Sequence, residues 1–348
     1  VTSPEPGGAR TTRVVALTPN PAWDVTYGVD RLAPGESLRV RSVVARAGGK
    51  GVNVARVART LGASSVAVCP LGGPLAGPFA ADLDTDGQPT VVVPVAGAVR
   101  QSVAVVPAEA GVEDGGHPTV LNEPGPALGD AEWAALVAAC AAQARVPDAA
   151  SAPPHDGPPP HDGLPRHVVA TVSGSLPPGT TPERVAGLVG ALRAAGALVH
   201  VDASGPGLLW AADAGADLLK PNRSELVEAT GIADPALAVA ELFRRGARAV
   251  VVTDGERGLT AYEPGPAGAG VPVVAGRARL AAPVAGNPTG AGDAAMAALA
   301  VDPDQPWARR LALAAATSAA AVLQPVAGAV DRADVDRLLT HVLTEPES

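Results

Sequence analysis

Aromatic side chains are scarce in this chain of 348 residues: four Trp, two Tyr and two Phe make up 2% of it. The interior must therefore be built from Val, Ala and Leu. Hydrophobic residues reach 47%, enough for one large α/β core or two smaller ones. No run of basic residues is present and none is interleaved with aromatics. With a net charge of −9 this argues against a nucleic-acid partner. An anionic substrate would have to be drawn in by a few local cations against the overall field. The only cysteines, Cys69 and Cys140, sit in apolar surroundings without metal-ligand spacing and read as reduced core thiols. The longest apolar stretch, LALAAATSAAAVL (311–323), is shorter than the roughly 20 residues a membrane span needs. The polar opening VTSPEPGGARTTR has no apolar signal core. A soluble, cytoplasmic protein with no membrane partner is expected.

What is present is an alternation. After a disordered tail (residues 1–12), RVVALTPN (13–20) reads as a buried strand. WDVTYGVDRL and SLRVRSVVA alternate like half-exposed strands, 51–61 carries a helical pattern, and VAVCPLG reads as a buried strand. TVVVPVAG and RQSVAVVPA look like an antiparallel pair. Beyond them, helices at 130–145, 181–195, 205–214, 235–245, 292–300 and 306–323 alternate with apolar strands at 167–172, 197–202, 216–219 and 248–253. A hairpin is expected over 258–282. The fold class predicted is α/β: a doubly wound, mostly parallel sheet flanked by helices. The early alternating strands, about 23–45 and 91–121, do not suit the interior of such a sheet and are expected to form a small β-sheet over one end of it. The Pro/Gly-rich stretch 146–165 reads as a flexible insertion. Its His155, Asp156, His161 and Asp162 are read as solvated residues rather than metal ligands, because no scaffold fixes their geometry.

Four short stretches carry chemistry. AGGKGVNVAR (47–56) is not a P-loop, since it lacks both the glycine spacing and the Ser or Thr after the lysine. In GNPTGAGD (286–293), Gly290, Ala291 and Gly292 turn into a helix whose first turn holds Asp293. Unpaired N–H groups there suit an anion, and a carboxylate beside them suits a general base; helix capping by Asp293 explains the pattern equally well. In LLKPNRSEL (218–226), Asn222 and Glu225 can order a hydrated Mg²⁺ or form a capping box. VVTDGERG (251–258) is a buried strand with a glycine turn at its carboxyl end, where open α/β sheets bind ligands.

Taken in order, TPNPAWD, GGKGVNVAR, NEPGP, SGSLPPG, KPNRSE and NPTGAGD resemble the PfkB (ribokinase-like) carbohydrate kinases, in particular the branch of 1-phosphofructokinase and tagatose-6-phosphate kinase. The likeness runs from about residue 13 to about 335. It implies a kinase domain over 13–340 with ATP as phosphoryl donor, Mg²⁺ as cofactor, a lid built from the early strands, and a homodimer formed through that lid. The acceptor it implies is a small sugar phosphate of the fructose 1-phosphate, tagatose 6-phosphate or fructose 6-phosphate type. Asp293 matches the family's catalytic base and Gly290, Ala291 and Gly292 its anion hole. Asn222 and Glu225 match the motif that organises Mg²⁺ through water, while Lys220, Asn222, Thr253, Gly255 and Gly258 fall where the nucleotide lies. Asp24, Gly48, Gly49 and Asn53 match sugar contacts. Lys50, Arg100 and Ser173 are expected near the phosphate already on the substrate, although Lys50 also reads as a surface lysine in a tight turn. The chain departs from the pattern at Asp254, an acid near the nucleotide phosphates, and at Ala294 after the base. Two other readings stay open. A kinase for an unphosphorylated sugar or nucleoside would not need Lys50 and Arg100. A non-catalytic sugar-phosphate sensor should have lost Asp293 or its glycines.

Overall fold

Val15 and Leu17 lie on one side of their strand, Val14 and Ala16 on the other, and the four fall alternately into two separate buried apolar clusters. A strand buried on both faces lies between two helical layers, and this one locates the middle of the molecule. The computed structural model describes residues 12–107, 119–145, 167–266 and 271–345. The expected tail, apart from Thr12, and the 146–165 insertion with its two His-Asp pairs lie outside the described residues.

The chain begins with β1 (Thr12–Leu17), leaves the layer as β2 (Ala22–Val29) and β3 (Val40–Gly48), and returns through α1 (Lys50–Thr60) to β4 (Ser64–Leu71). Helix α2 (Ala76–Thr85) leads to β5 (Thr90–Pro94), followed by β6 (Arg100–Pro107) and β7 (Thr119–Asn122). Then come α3 (Asp130–Ala144), β8 (His167–Ser173), α4 (Pro182–Ala194), β9 (Leu198–Asp202), α5 (Pro206–Asp213) and β10 (Leu218–Leu219). Helices α6 (Arg223–Thr230) and α7 (Pro235–Arg245) precede β11 (Val250–Thr253), β12 (Leu259–Glu263) and β13 (Val273–Leu280). The described chain closes with α8 (Ala291–Val301), α9 (Trp307–Val322), α10 (Arg332–Leu339) and β14 (Val342–Glu345).

Ten strands form one sheet in the order β14-β13-β12-β11-β10-β9-β8-β1-β4-β5, parallel from β5 to β11 and antiparallel beyond. Residues of α1, α2, α8, α9 and α10 join one apolar cluster, and those of α3 to α7 the other. Local sequence sets the helix ends. Asp234 caps α7 by accepting the Leu237 N–H at 2.9 Å, Pro235 opens the helix, and Gly246 at φ 124° ends it. Four strands form a second sheet in the order β3-β2-β6-β7.

One expected pairing is overturned. TVVVPVAG and RQSVAVVPA are not partners: β5 lies parallel to β4 at the edge of the large sheet, whereas β6 lies parallel to β2 in the small one. The reason is α2, a helix that the Gly- and Pro-broken stretch GGPLAGPFAADLDT conceals. It supplies the crossover that a parallel β4–β5 pair requires. The expected lid range 91–121 therefore begins too early.

Candidate active site

The sequence runs outward from β1 to β4 and β5 on one side, then to β8 through β11 on the other. Beside β1 the carboxyl ends of adjacent strands diverge, and open α/β sheets bind ligands at such a point. A cleft of about 700 Å³ opens there, between the ends of β8 to β11 and the small sheet.

At its floor is the start of α8. Gly290, at φ 85°, turns the chain into the helix, and a Cβ there would lie 2.9 Å from Ala327 Cβ. The Ala291 N–H bonds to Pro288 and the Ala294 N–H starts the helical ladder on Gly290. The N–H groups of Gly292 and Asp293 are left without a main-chain acceptor, and both residues line the cleft. Asp293 does not cap the helix. Its carboxylate accepts from Asn53 Nδ2 at 2.8 Å. Burial pushes the Asp293 pKa up to about 7, with Lys50 opposing and Asp202 adding to the shift. A carboxylate poised near neutrality beside an anion-binding helix end is equipped to take a proton from a hydroxyl.

Above it the chain places both of its lysines. Lys220 Nζ lies 3.1 Å from Asp202 Oδ2, and Lys50 Nζ lies 3.3 Å from Asp202 Oδ1 and 3.4 Å from Glu225 Oε1. Burial opposes the charge on Asp202, but Lys220 and Lys50 hold its carboxyl below the usual range. Burial likewise opposes the charge on Lys50, yet Asp202, Asp293 and Glu225 hold its ammonium above the usual lysine range. A side chain at Gly292 would bring its Cβ within 3.5 Å of Lys220 Nζ, so the glycine leaves the ammonium open to whatever the helix end holds. Asn222 and Glu225 do form a capping box: Asn222 Oδ1 accepts the Glu225 N–H at 2.8 Å and Glu225 Oε2 accepts the Asn222 N–H at 2.9 Å. Glu225 Oε1 is left facing Lys50 and the cleft.

The opposite wall belongs to the small sheet. Arg46, Asp24, Ser102 and Asn122 stand in register on one face of β3, β2, β6 and β7. Ser102 Oγ donates to Asn122 Oδ1 at 2.8 Å. Burial raises the Asp24 pKa to about 6, opposed by Arg100, Arg46 and Arg56. Arg100 is held by main-chain carbonyls, with Nη1 3.0 Å from Glu123 O and Nε 3.3 Å from Asn20 O. Neither carbonyl neutralises its charge. Gly49 and Asn53 also line the cleft, and Gly48 packs behind Asp24: a Cβ there would fall 1.9 Å from Asp24 Oδ2.

Several expected positions are not brought together with these. Ser173 is fully buried at the end of β8, and its hydroxyl has no partner among the described residues; the chain turns at Gly174, φ 113°, and Gly174 and Ser175 form that part of the wall. Thr253 reaches the cleft, but Gly255 and Gly258 do not line it. Gly258 serves packing, since a Cβ there would meet Ala278 O at 2.1 Å. Ala291 is likewise off the lining. Asp254 is bound away from it by Arg257, in two hydrogen bonds of 2.8 Å, and by Arg223 at 3.4 Å. Asp202, the hub of the lysine pair, was missed. Its signal was available: a strand of five residues ending in an acid at the carboxyl edge, in a chain with two lysines and far more arginine.

A helix end suited to an anion, a carboxyl poised near neutrality at its first turn, paired lysines and a small sheet across a polar cleft suit phosphoryl transfer to a hydroxyl. The model of the pfkB family carbohydrate kinases matches residues 13–141 and 167–332. The chain is 33% identical over 344 residues to the ATP-dependent 6-phosphofructokinase isozyme 2 of Mycobacterium tuberculosis, spanning 96% of this chain and 91% of that one. To the 1-phosphofructokinase of Xanthomonas campestris it is 35% identical over 297 residues, 83% of each chain. The fold matches the crystal structure of Escherichia coli phosphofructokinase-2 in complex with fructose-6-phosphate at a TM-score of 0.74, with 24% identity over 94% of this chain and 97% of the other. The chain belongs to the PfkB family of carbohydrate kinases. It is an enzyme of the ribokinase-like fold that transfers a phosphoryl group to an alcohol.

Proposed function

We propose that this kinase moves the γ-phosphoryl group of ATP onto a free hydroxyl of a ketohexose phosphate. Fructose 6-phosphate and fructose 1-phosphate are the leading acceptors, with tagatose 6-phosphate a third. The observation that carries the reading is the position of Arg100: a cation on the lid wall, across the cleft from the base, bonded to two main-chain carbonyls and, among the described residues, near Asp24 and Glu123 but in no ion pair with either. An acceptor phosphate anchored there leaves the far end of a six-carbon sugar to reach Asp293. Asp24 would bind sugar hydroxyls and Asn53 orient the base. The N–H groups of Gly292 and Asp293 would hold the charge that develops on the moving phosphoryl group.

Lys50 takes a different part from the one its loop suggested. Between Asp202 and Glu225 and coupled to Asp293, it belongs to the transfer centre rather than to the acceptor's phosphate. The local charge count also favours Mg²⁺. Lys50 and Lys220 face three carboxylates, Asp202, Glu225 and Asp293, so this lysine pair has no surplus charge for a polyphosphate. No cluster of three metal-ligating side chains exists among the described residues. The donor set fits a hydrated ion that Asn222 and Glu225 would hold through its waters, to serve the phosphate oxygens of ATP. When bound, it supplies charge neutralisation on those oxygens.

The domain division offered is one kinase domain over about 13–340 with β2, β3, β6 and β7 as lid. Exposed Val44 and Val120 on the cleft face of the lid, and Val43 and Leu121 on the other, favour a homodimer formed through it. No helix among the described residues is long and apolar enough to cross a membrane, and the cytoplasm is the compartment proposed.

The test is a panel of fructose, ribose, adenosine, fructose 1-phosphate, fructose 6-phosphate and tagatose 6-phosphate with ATP and Mg²⁺, following ADP release. A kcat/KM for one ketohexose phosphate far above that for free fructose is expected. Equal or better use of fructose sinks the proposal, and binding without ADP release returns the sensor reading.

A further inference from the structure

At the junction of lid and body, one residue of the lid has both of its main-chain polar groups taken by side chains of the body. Ala47 is the next-to-last residue of β3, the edge strand of the small sheet. Its N–H donates to Asp82 Oδ2 at 3.0 Å, and its carbonyl accepts from Arg56 Nη1 at 2.7 Å. Arg56 Nη2 closes the ring on the same Asp82 oxygen at 2.9 Å. Arg56 comes from α1 and is 4% exposed, and Asp82 comes from α2. A second carboxylate, Asp86, lies 2.7 Å from Arg56 Nη2 and 3.4 Å from Arg46 Nη2. Ala47 is fully buried, so without these side chains its edge-strand N–H and carbonyl would be left unsatisfied.

The rest of that edge differs. Residues 40–45 of β3 are exposed, and among the described residues no side chain takes the main-chain groups of Arg41, Val43 or Ala45. Arg41 spends its guanidinium on Asp30 within the lid. The strand is thus gripped at one point and released beyond it. That point stands one residue before Gly48, which packs on Asp24, and three before Lys50. Trp23, the register partner of Ala47, leans on Phe79 of the same α2 with ring centroids 6.4 Å apart.

We propose that Arg56 and Asp82 are positioning residues that form the pivot of the lid: they fix residues 47–50 in the frame of the body, so that the strand beyond moves without displacing Lys50 or Gly48. Neither touches the substrates. Both act through the Ala47 peptide. A guanidinium is needed, because two parallel N–H groups must reach a carbonyl and a carboxylate at once, and an ammonium on a shorter stem does not span them. The proposal rests on the kinase reading only where it concerns turnover.

Two measurements test it. In the unliganded protein, the Ala47 amide should exchange with deuterium far more slowly than those of Arg41, Val43 and Ala45. In Asp82→Ala that protection should fall by about tenfold or more while β1 and β4 keep theirs. This readout needs no substrate, so it stands or falls apart from the assigned activity. Equal exchange at residues 41–47 in the natural chain overturns the pivot. With the ketohexose phosphate that the natural chain uses best, Arg56→Lys should raise KM for the sugar phosphate about tenfold and lower kcat, with KM for ATP within twofold. Loss of kcat alone, in proportion to the folded fraction and with both KM values unchanged, shows a merely structural pair and also overturns it.

Discussion

On the body side of the cleft, Asp202, Lys220 and Asp293 are 1%, 2% and 5% exposed, and the charges of Asp202 and Lys220 meet each other directly. On the lid side, Arg100 is partly buried and bonded to carbonyls, and the Asp24 carboxylate is placed by a packed glycine. Under the proposed function, the two walls differ because their tasks differ. The body wall must hold charge at fixed distances while a phosphoryl group passes, and a buried network with alternating sign does that without reorganising. The lid wall must admit and release a substrate, so its groups keep contact with water and are individually weaker.

Substitutions should therefore act on kcat at one wall and on KM at the other. The largest effect belongs to Asp293→Asn, which should lower kcat by about a hundred- to ten-thousandfold with sugar binding retained. The same change should stabilise the fold above neutral pH. The pKa of Asp293 is raised from 3.8 to about 7, so its contribution to stability is complete below about pH 4 and lost as pH rises through 7. Asn does not pay that cost of ionising, and a gain of roughly 2–4 kcal/mol at pH 8 in urea unfolding is expected. In the natural chain kcat/KM should fall tenfold per unit below about pH 7.

Next comes Lys50→Met, with a loss of about a hundredfold or more in kcat and little change in KM for the sugar phosphate. Lys50 lowers the Asp293 pKa, so the pH–rate inflection should also move upward. A selective rise in sugar-phosphate KM would move Lys50 to the acceptor side and blur the distinction between walls. Arg100→Ala should raise KM for the sugar phosphate roughly ten- to a hundredfold while KM for ATP holds. If kcat collapses instead, the lid wall takes part in transfer. The smallest effect is expected for Asp254→Ser. Its charge is already met by Arg257 and Arg223 off the cleft, so KM for ATP should change by less than about threefold.

The body wall was the more legible of the two in sequence. Its groups sit at the ends of apolar strands and at a helix start, where GNPTGAGD and KPNRSE give both position and chemistry. Asp202 ends a strand at the carboxyl edge, but its meaning comes from two lysines that are 170 residues apart, and that is why it escaped. The lid was legible as alternating strands, but which strands composed it depended on α2, whose Gly and Pro residues read as a loop. The sequence did not show where β8 ends: Ser173 is its last, buried residue, and only past the turn at Gly174 do Gly174 and Ser175 reach the cleft. The charges of Asp254 and Asp82 were visible, but not all that they bind, since Arg223 lies on α6 and Arg56 on α1.

The concentration of lysine has a practical consequence. Amine-directed reagents can meet only two side-chain amines in this chain, and both stand in the cleft. Lys220 is sealed, and Lys50, 37% exposed in its side chain, is held protonated by its acidic neighbours. Surface lysine chemistry has nothing else to label, so an acylating probe reacts only as fast as the cleft opens and presents a neutral amine. Any adduct on a lysine side chain reports on the transfer centre, and its suppression by nucleotide measures how well that centre is filled.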